Sequence, residues 1–164
     1  MPDRASVPIE HDDDLRRVLG QIQRRGGIGP VDLGDAIEHA ERYVRSIPSQ
    51  VRTVIDLGSG GGLPGLVVAV RRPHVHLELV ERRAKRADLL RFGVRALGLG
   101  GRVSVFDRDV EDLLAADPPR QVDVVTARSF APLPTVLAVA ARLLVAGGRC
   151  LVSAPPDTDV APDV

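Results

Sequence analysis

The chain has 164 residues, enough for one domain with a sizeable core, and 44 % of them are hydrophobic while only 2 % are aromatic, so the core must be Leu, Val and Ala. Lys plus Arg and Asp plus Glu number 22 each, a formal net charge of zero, which excludes a global field attracting nucleic acid and leaves only local patches. A lone cysteine, Cys150, excludes an internal disulfide; there is no zinc spacing, no apolar leader and no bilayer-length apolar run, so the expectation is a soluble cytoplasmic protein with no metal and no membrane contact.

Residues 1 to about 10 are polar and predict a mobile start. Asp12, Asp13 and Asp14 precede Leu15, Val18, Leu19 and Ile22, which recur at helical spacing; Arg24-Arg25 and then Gly26-Gly27 mark the stop. The acid run reads as cap and solvated face rather than as a metal site. A second helix is predicted from about Leu33 to Ile47, with Ile37, Ala40, Tyr43, Val44 and Ile47 on its apolar face and Pro48 after it. His39 lies beside that face and reads as a partly exposed surface or interface residue. Residues 1–48 are expected to form an N-terminal helical cover over one edge or mouth of the core.

From Val51 strand and helix alternate. Strands are predicted at about 51–57, 75–80, 102–106, 122–127 and 149–153, the last led in by Gly147-Gly148. Helices are predicted at about 63–71, 82–97, 110–115 and 133–144. The pattern implies an α/β fold: a doubly wound, mostly parallel sheet of about five strands in the order 3-2-1-4-5, with right-handed crossovers, over residues 49–153. Residues 154–164 are rich in Pro and Asp and predict an irregular tail.

The stretch from Val54 to Gly65 carries the chemistry. Val54, Ile55 and Leu57 suit a strand buried on both faces, and Asp56 stands at its tip. Gly58, Gly60, Gly61 and Gly62 follow, allowing a sharp turn and close approach of a ligand to the backbone. Pro64 suits the first turn of a helix, and a helix start favours a negative or polar ligand group. Two frames fit. Gly60, Gly62 and Gly65 satisfy G-x-G-x-x-G, with Glu81 about 20 residues on, as in a dinucleotide site. The other frame is Asp56-x-Gly58-x-Gly60-x-Gly62. An Asp at the strand tip is awkward beside a pyrophosphate and suits a ligand carrying positive charge, which favours the second frame.

Ligands of such sheets bind outside the carboxyl ends of the strands. That edge would gather Asp56 and the glycine loop, Glu81 after the second strand, Asp107 and Asp109 after the third, and Thr126, Arg128 and Ser129 after the fourth. Glu81 suits two vicinal ribose hydroxyls. Asp109 suits an adenine amino group, with Val110 offering an amide, and is also a candidate helix cap. Arg82, Arg83, Lys85, Arg86, Arg91 and Arg95 make the helix after Glu81 either a solvated face or a local phosphate patch, with Arg83, Arg86 and Arg91 on one side. Arg128 offers five donors for a phosphate, a carboxylate or a guanine edge, or for a salt bridge ordering its loop.

DLGSGGGLPG, LVERRAKRADLLR, DRDVEDL and VTARSFAPL together resemble the RsmG/GidB family, bacterial enzymes that make N7-methylguanosine in small-subunit ribosomal RNA. The Asp56 frame itself resembles motif I of class I S-adenosylmethionine (SAM) methyltransferases. The resemblance covers roughly residues 50 to 150 and implies a Rossmann-like methyltransferase fold with SAM as methyl donor. It would place Asp56, Gly58, Ser59, Gly60, Gly62, Leu63, Glu81 and Arg82 at the cofactor, Asp109 and Val110 near adenine, and Arg128 near both cofactor and acceptor. Guanine N7 has a free lone pair and no proton to lose, so transfer needs alignment and a water-poor site rather than a general base.

The chain departs from the family at three points. Ser153-Ala154 stands where the family has Lys-Gly after the fifth strand, the basic N-terminal segment is not recognisable, and the strands that complete a seven-stranded sheet have no room before Val164. The acceptor therefore stands open between RNA, such as the small ribosomal subunit, and a small molecule. A SAM-binding protein without turnover and an NAD-binding fragment are further alternatives. The open edge of the fifth strand is expected to be closed by a homodimer partner or by the N-terminal helices.

Overall fold

The computed structural model describes residues 9–153; the predicted polar start before Ile9 and the tail at 154–164 lie outside them. Among the described residues there are six helices and five strands, alternating from the first strand onward. The helices are α1 (Ile9–Arg24), α2 (Leu33–Ser46), α3 (Gly65–Arg71), α4 (Ala84–Ala96), α5 (Val110–Leu114) and α6 (Leu133–Leu143). The strands are β1 (Thr53–Leu57), β2 (His76–Val80), β3 (Val103–Phe106), β4 (Val122–Ala127) and β5 (Leu144–Val152). All pairings are parallel, and the order is β3-β2-β1-β4-β5, as the alternation predicts.

The central strands β1 and β4 are buried on both faces, between which their side chains alternate. Val54, Leu77, Val103 and Val124 share one face and pack under α1 to α4. Ile55, Leu57, Val80 and Val125 share the other, with Val136, Ala140 and Leu143 of α6 and Leu113 of α5 against them. The N-terminal helices belong to the first layer: Leu15, Val18, Leu19 and Ile22 of α1 and Ala40 of α2 are sealed into the same cluster as Leu66 and Leu90.

Polar side chains finish the ends of these elements. Asp32 caps α2 by accepting from the Asp35 amide at 3.0 Å. At the other end of α2, the Arg72 guanidinium donates to the carbonyls of Val44 and Ile47 at 2.8 and 2.6 Å. Arg102 does the same after α3, donating to the carbonyls of Ala69, Arg72 and Val75. Asp123 accepts from the amides of Arg52 and Thr53, which hold its carboxyl below the usual carboxylate range. Arg71 joins three helices, pairing with Asp12 of α1 and Glu41 of α2.

Three local expectations are corrected. The acids at 12–14 do not cap the first helix, because α1 already starts at Ile9; Asp12 pairs with Arg71 and Asp14 with Arg17. The last strand does not wait for Gly147-Gly148. It begins at Leu144, and the register shift between Val122 and Val124 absorbs the extra residues, with Gly147 at φ 77°. Pro64 stands just before α3 rather than inside it.

Candidate functional site

The carboxyl ends of β1, β2 and β4 meet at one edge, and the register decides which side chains touch there. Asp56 of β1 is paired in register with Thr126 of β4. The Thr126 hydroxyl donates to Asp56 Oδ1 at 2.6 Å, and both side chains are fully buried. Oδ2 of Asp56 is buried, makes no well-formed hydrogen bond among the described residues, and lies against Gly65 at the start of α3. Burial pushes the Asp56 carboxyl up to about 6, against the pull of the Thr126 and Ser59 hydroxyls, the Gly65 amide and the Arg128 charge. A buried carboxylate with one unsatisfied oxygen is a site for a cationic or donor group.

The glycine loop wraps around this acid. Ser59 donates its hydroxyl to the Asp56 carbonyl and its amide to the Val80 carbonyl, both at 2.9 Å. Gly58, Gly60 and Gly62 have φ of 65°, 56° and 105°, which side chains resist. Their surroundings differ. A Cβ on Gly58 would sit 2.9 Å from the Phe130 ring, and one on Gly62 would strike Leu66, whereas one on Gly60 meets only the Gly58 carbonyl oxygen, at 3.8 Å. Gly60 is therefore the open rung of the cradle. Gly61 is closed from behind by Ile28 and the Gly27 carbonyl, so the segment after α1 sets the height of the loop.

Glu81 sits at the end of β2, 6 % exposed. Its Oε2 accepts from the Gly60 amide at 3.0 Å and its Oε1 from the Arg83 amide at 2.9 Å. Each carboxylate oxygen keeps a second lone pair for a hydroxyl. Asp109 caps α5, accepting from the Glu111 amide at 3.1 Å, and its other oxygen lies 3.7 Å from Arg82. Gly58, Glu81, Asp109, Val110, Ser129 and Phe130 line one cleft of about 440 Å³, with Arg82, Arg83, Arg86 and Arg108 around it.

The structure thus brings Gly58, Glu81, Arg82, Asp109 and Val110 to one cleft, with Gly60 and Ser59 in its loop and Asp56 beneath. Leu63 is not at the cleft: it is buried in the core with Leu66 and Leu90. Gly62 supports the turn through its contact with Leu66. Arg91 turns away, bound to Asp107 at 2.7 Å and Asp88 at 3.0 Å, so it is not available as Arg83 and Arg86 are. Asp107 is spent on that pair. Arg128 is half-buried, and its Nη1 is buried without a partner among the described residues.

Two contributions escaped the sequence. The Thr126–Asp56 bond joins residues 70 apart, and strand register has no local signal. Arg108 reaches the cleft from the β3–α5 loop, and only the turn geometry of that loop brings it there. Ser129 was placed at this edge, but its φ of 54° was not foreseeable.

The donor set fits SAM. Glu81 would hold the ribose hydroxyls, Asp109 and the Val110 amide the adenine, and Asp56 with the open Gly60 rung the positively charged methionine end. Among the described residues no group of three or more His, Cys, Asp or Glu could hold a metal ion, and no helix is long and apolar enough to cross a membrane.

Comparison with known proteins places this arrangement. The family model described as GidB, rRNA small subunit methyltransferase G, matches residues 30–154. A ribosomal RNA small subunit methyltransferase G from Kineococcus radiotolerans is 41 % identical over 128 residues, 76 % of this chain and 49 % of that protein. Its counterpart from Mycolicibacterium smegmatis is 34 % identical over 135 residues, 82 % of this chain and 52 % of that protein. The chain spans about half the length of these curated relatives. Among solved structures, cofactor-bound Rv0187 from MTB superimposes with a TM-score of 0.69 at 21 % identity, covering 88 % of this chain and 66 % of that one. A SAM-dependent methyltransferase from Thiobacillus denitrificans, in complex with S-adenosyl-L-homocysteine, gives a TM-score of 0.60 at 20 % identity, covering 83 % and 54 %. At these identities the structures establish the fold alone.

Proposed function

Because the chain belongs to the GidB family of rRNA small subunit methyltransferase G proteins, we propose that it moves a methyl group from SAM to RNA, with guanine N7 of small-subunit ribosomal RNA as the acceptor. The observation that carries this reading is the unpartnered Oδ2 of Asp56, buried beneath the glycine loop whose open rung is Gly60. That oxygen calls for a positive or hydrogen-bond-donating partner, which the methionine end of SAM has and a dinucleotide pyrophosphate lacks.

When bound, SAM would supply an electrophilic methyl on a sulfonium, with the sulfur keeping the electron pair as the methyl leaves. The protein's own tasks are binding and alignment. Glu81 fixes the ribose while bracing the Gly60 amide. Asp56, its carboxylate favoured by an adjacent cation, anchors the charged end. Arg128, with a free buried donor, orients the acceptor. Arg83 and Arg86, which border the cleft, are suited to phosphates of an RNA backbone. No proton leaves N7, so no general base is required.

Calorimetry with SAM, S-adenosylhomocysteine and NAD tests the cofactor. Binding of NAD with failure of both SAM and its product would sink the reading. Transfer of labelled methyl to RNA from a strain lacking this protein tests the acceptor. A small-molecule acceptor is the second reading, favoured by the formal net charge of zero, and a small-molecule extract in the same assay tests it. A cytoplasmic location accompanies an RNA substrate. The outer edge of β5 pairs with no strand among the described residues, and we infer that a second copy of the chain closes it. Light scattering from a monomer with that edge bare would rule the dimer out.

A further inference from the structure

A second cleft of about 440 Å³ lies between α2 and the end of β5, lined by His39, Arg42, Tyr43 and Ser46 on one side and Cys150 to Ser153 on the other. We infer that this cleft is the acceptor subsite, taking a guanine nucleotide whose base lies against His39 and whose phosphate meets Arg42, with Arg128 between the base and the cofactor. The inference rests on the methyltransferase reading above and adds residues of the N-terminal helices to it.

Connectivity is the first support. The Tyr43 hydroxyl donates to the Ala127 carbonyl at 3.2 Å, so the wall of this cleft is fastened to the end of β4. Ser129, two residues on, lines the cofactor cleft. Ala127 and Ser129 are two steps apart in the chain, at most about 7 Å between their Cα atoms, with Arg128 between them. Arg128 is the middle one, and its buried Nη1 has no partner among the described residues. An unpaired buried donor at a partition is suited to a ligand acceptor atom such as guanine O6, the neighbour of N7.

Charge is the second support. Among the described residues no Asp or Glu lines the α2–β5 cleft, and Arg42 is part of its wall. Burial holds His39 below its ordinary range, and the Arg128 and Arg42 charges add to this. A neutral imidazole carries one donor and one acceptor nitrogen, the complement of a base edge. His39 also meets the Tyr43 ring edge-on, with centroids 5.9 Å apart. An arginine in the wall, with no carboxylate among the described lining residues, suits a phosphorylated acceptor.

The test is a titration of guanosine 5′-monophosphate into the full chain saturated with S-adenosylhomocysteine, followed by the imidazole proton resonances of its four histidines. The His39 resonance is expected to shift saturably while His74 and His76 do not. His39→Phe keeps the ring packing on Tyr43 but removes both nitrogens, so it is expected to weaken the nucleotide by about tenfold, with Arg42→Ala similar. S-adenosylhomocysteine affinity is expected to stay within about twofold in both, because neither residue lines the cofactor cleft. Three results overturn the subsite: no His39 shift while S-adenosylhomocysteine binds, undiminished nucleotide binding in His39→Phe, or an equal response to uridine 5′-monophosphate. If neither SAM nor its product binds, the methyltransferase reading falls instead, and the same titration on the ligand-free protein still decides the cleft.

Discussion

The Glu81 carboxylate accepts a hydrogen bond from the Gly60 amide at 3.0 Å, so the residue suited to the ribose also holds the loop that cradles the ligand. Its second oxygen accepts from the Arg83 amide at the start of α4. A side chain in this position has two tasks, and removing it disturbs both.

Glu81→Ala is therefore expected to lower stability by about 1–3 kcal/mol, by leaving two amides without their acceptor, and to weaken SAM as well. Urea denaturation and calorimetry on the same variant separate the two effects. Unchanged SAM affinity would remove the ribose assignment, whatever the stability.

Asp56 sets a pH dependence. In the folded protein its carboxyl is raised from 3.8 to about 6 by burial. The folded chain then holds a proton that the unfolded chain has lost, so this stabilising contribution is complete below 3.8 and disappears as the pH rises through about 6. A cationic ligand favours the charged form and expels the proton. SAM affinity is accordingly expected to increase between about pH 5 and pH 7, with proton release visible in buffers of different ionisation enthalpy. Asp56→Asn should flatten that profile; a wild-type profile already flat would show that the carboxylate does not meet the ligand charge.

The glycines of the loop are expected to differ in what they fail at. Gly61→Ala drives a Cβ into Ile28 and the Gly27 carbonyl oxygen, and backbone cannot step aside easily. It should cost about 1–3 kcal/mol of stability. Gly60→Ala meets almost nothing within 4 Å but must hold φ 56° in the loop braced by Glu81. It should lose SAM with a smaller loss of stability, about 1 kcal/mol. Thermal melts with and without SAM distinguish the two; identical behaviour would contradict the assignment of Gly60 as the open rung.

Arg71→Met removes the guanidinium that joins Asp12 and Glu41 while keeping most of the buried stem. Asp12 is half exposed, so solvent screens that pair and the expected loss is about 1 kcal/mol. Hydrogen exchange should locate the loosening in α1 and α2 rather than in the sheet. Uniform loosening throughout the chain would count against this residue as a local clasp.

Much of the architecture is legible without coordinates. Short apolar runs mark all five strands, and their alternation with helices fixes a parallel sheet because parallel neighbours need crossovers. The boundaries miss where a chemical signal serves two purposes. Gly147-Gly148 reads as a lead-in to the last strand, yet it forms a bulge within β5, because glycine permits both. The acids at 12–14 read as caps, yet they lie inside α1 and two of them pair with arginines.

For the site, the local pattern around residues 56–62 and Glu81 determined which residues reach the carboxyl edge, since strand ends and turns are written in contiguous sequence. Tertiary structure alone decided what they do to one another. The pairing of β1 with β4 buries Asp56 against Thr126 and leaves one oxygen unsatisfied. The fastening of Tyr43 to Ala127 sets a second cleft beside the first. Both depend on register and packing between segments 70 or more residues apart. Such relations arise only when the whole core closes, so no window of sequence contains them.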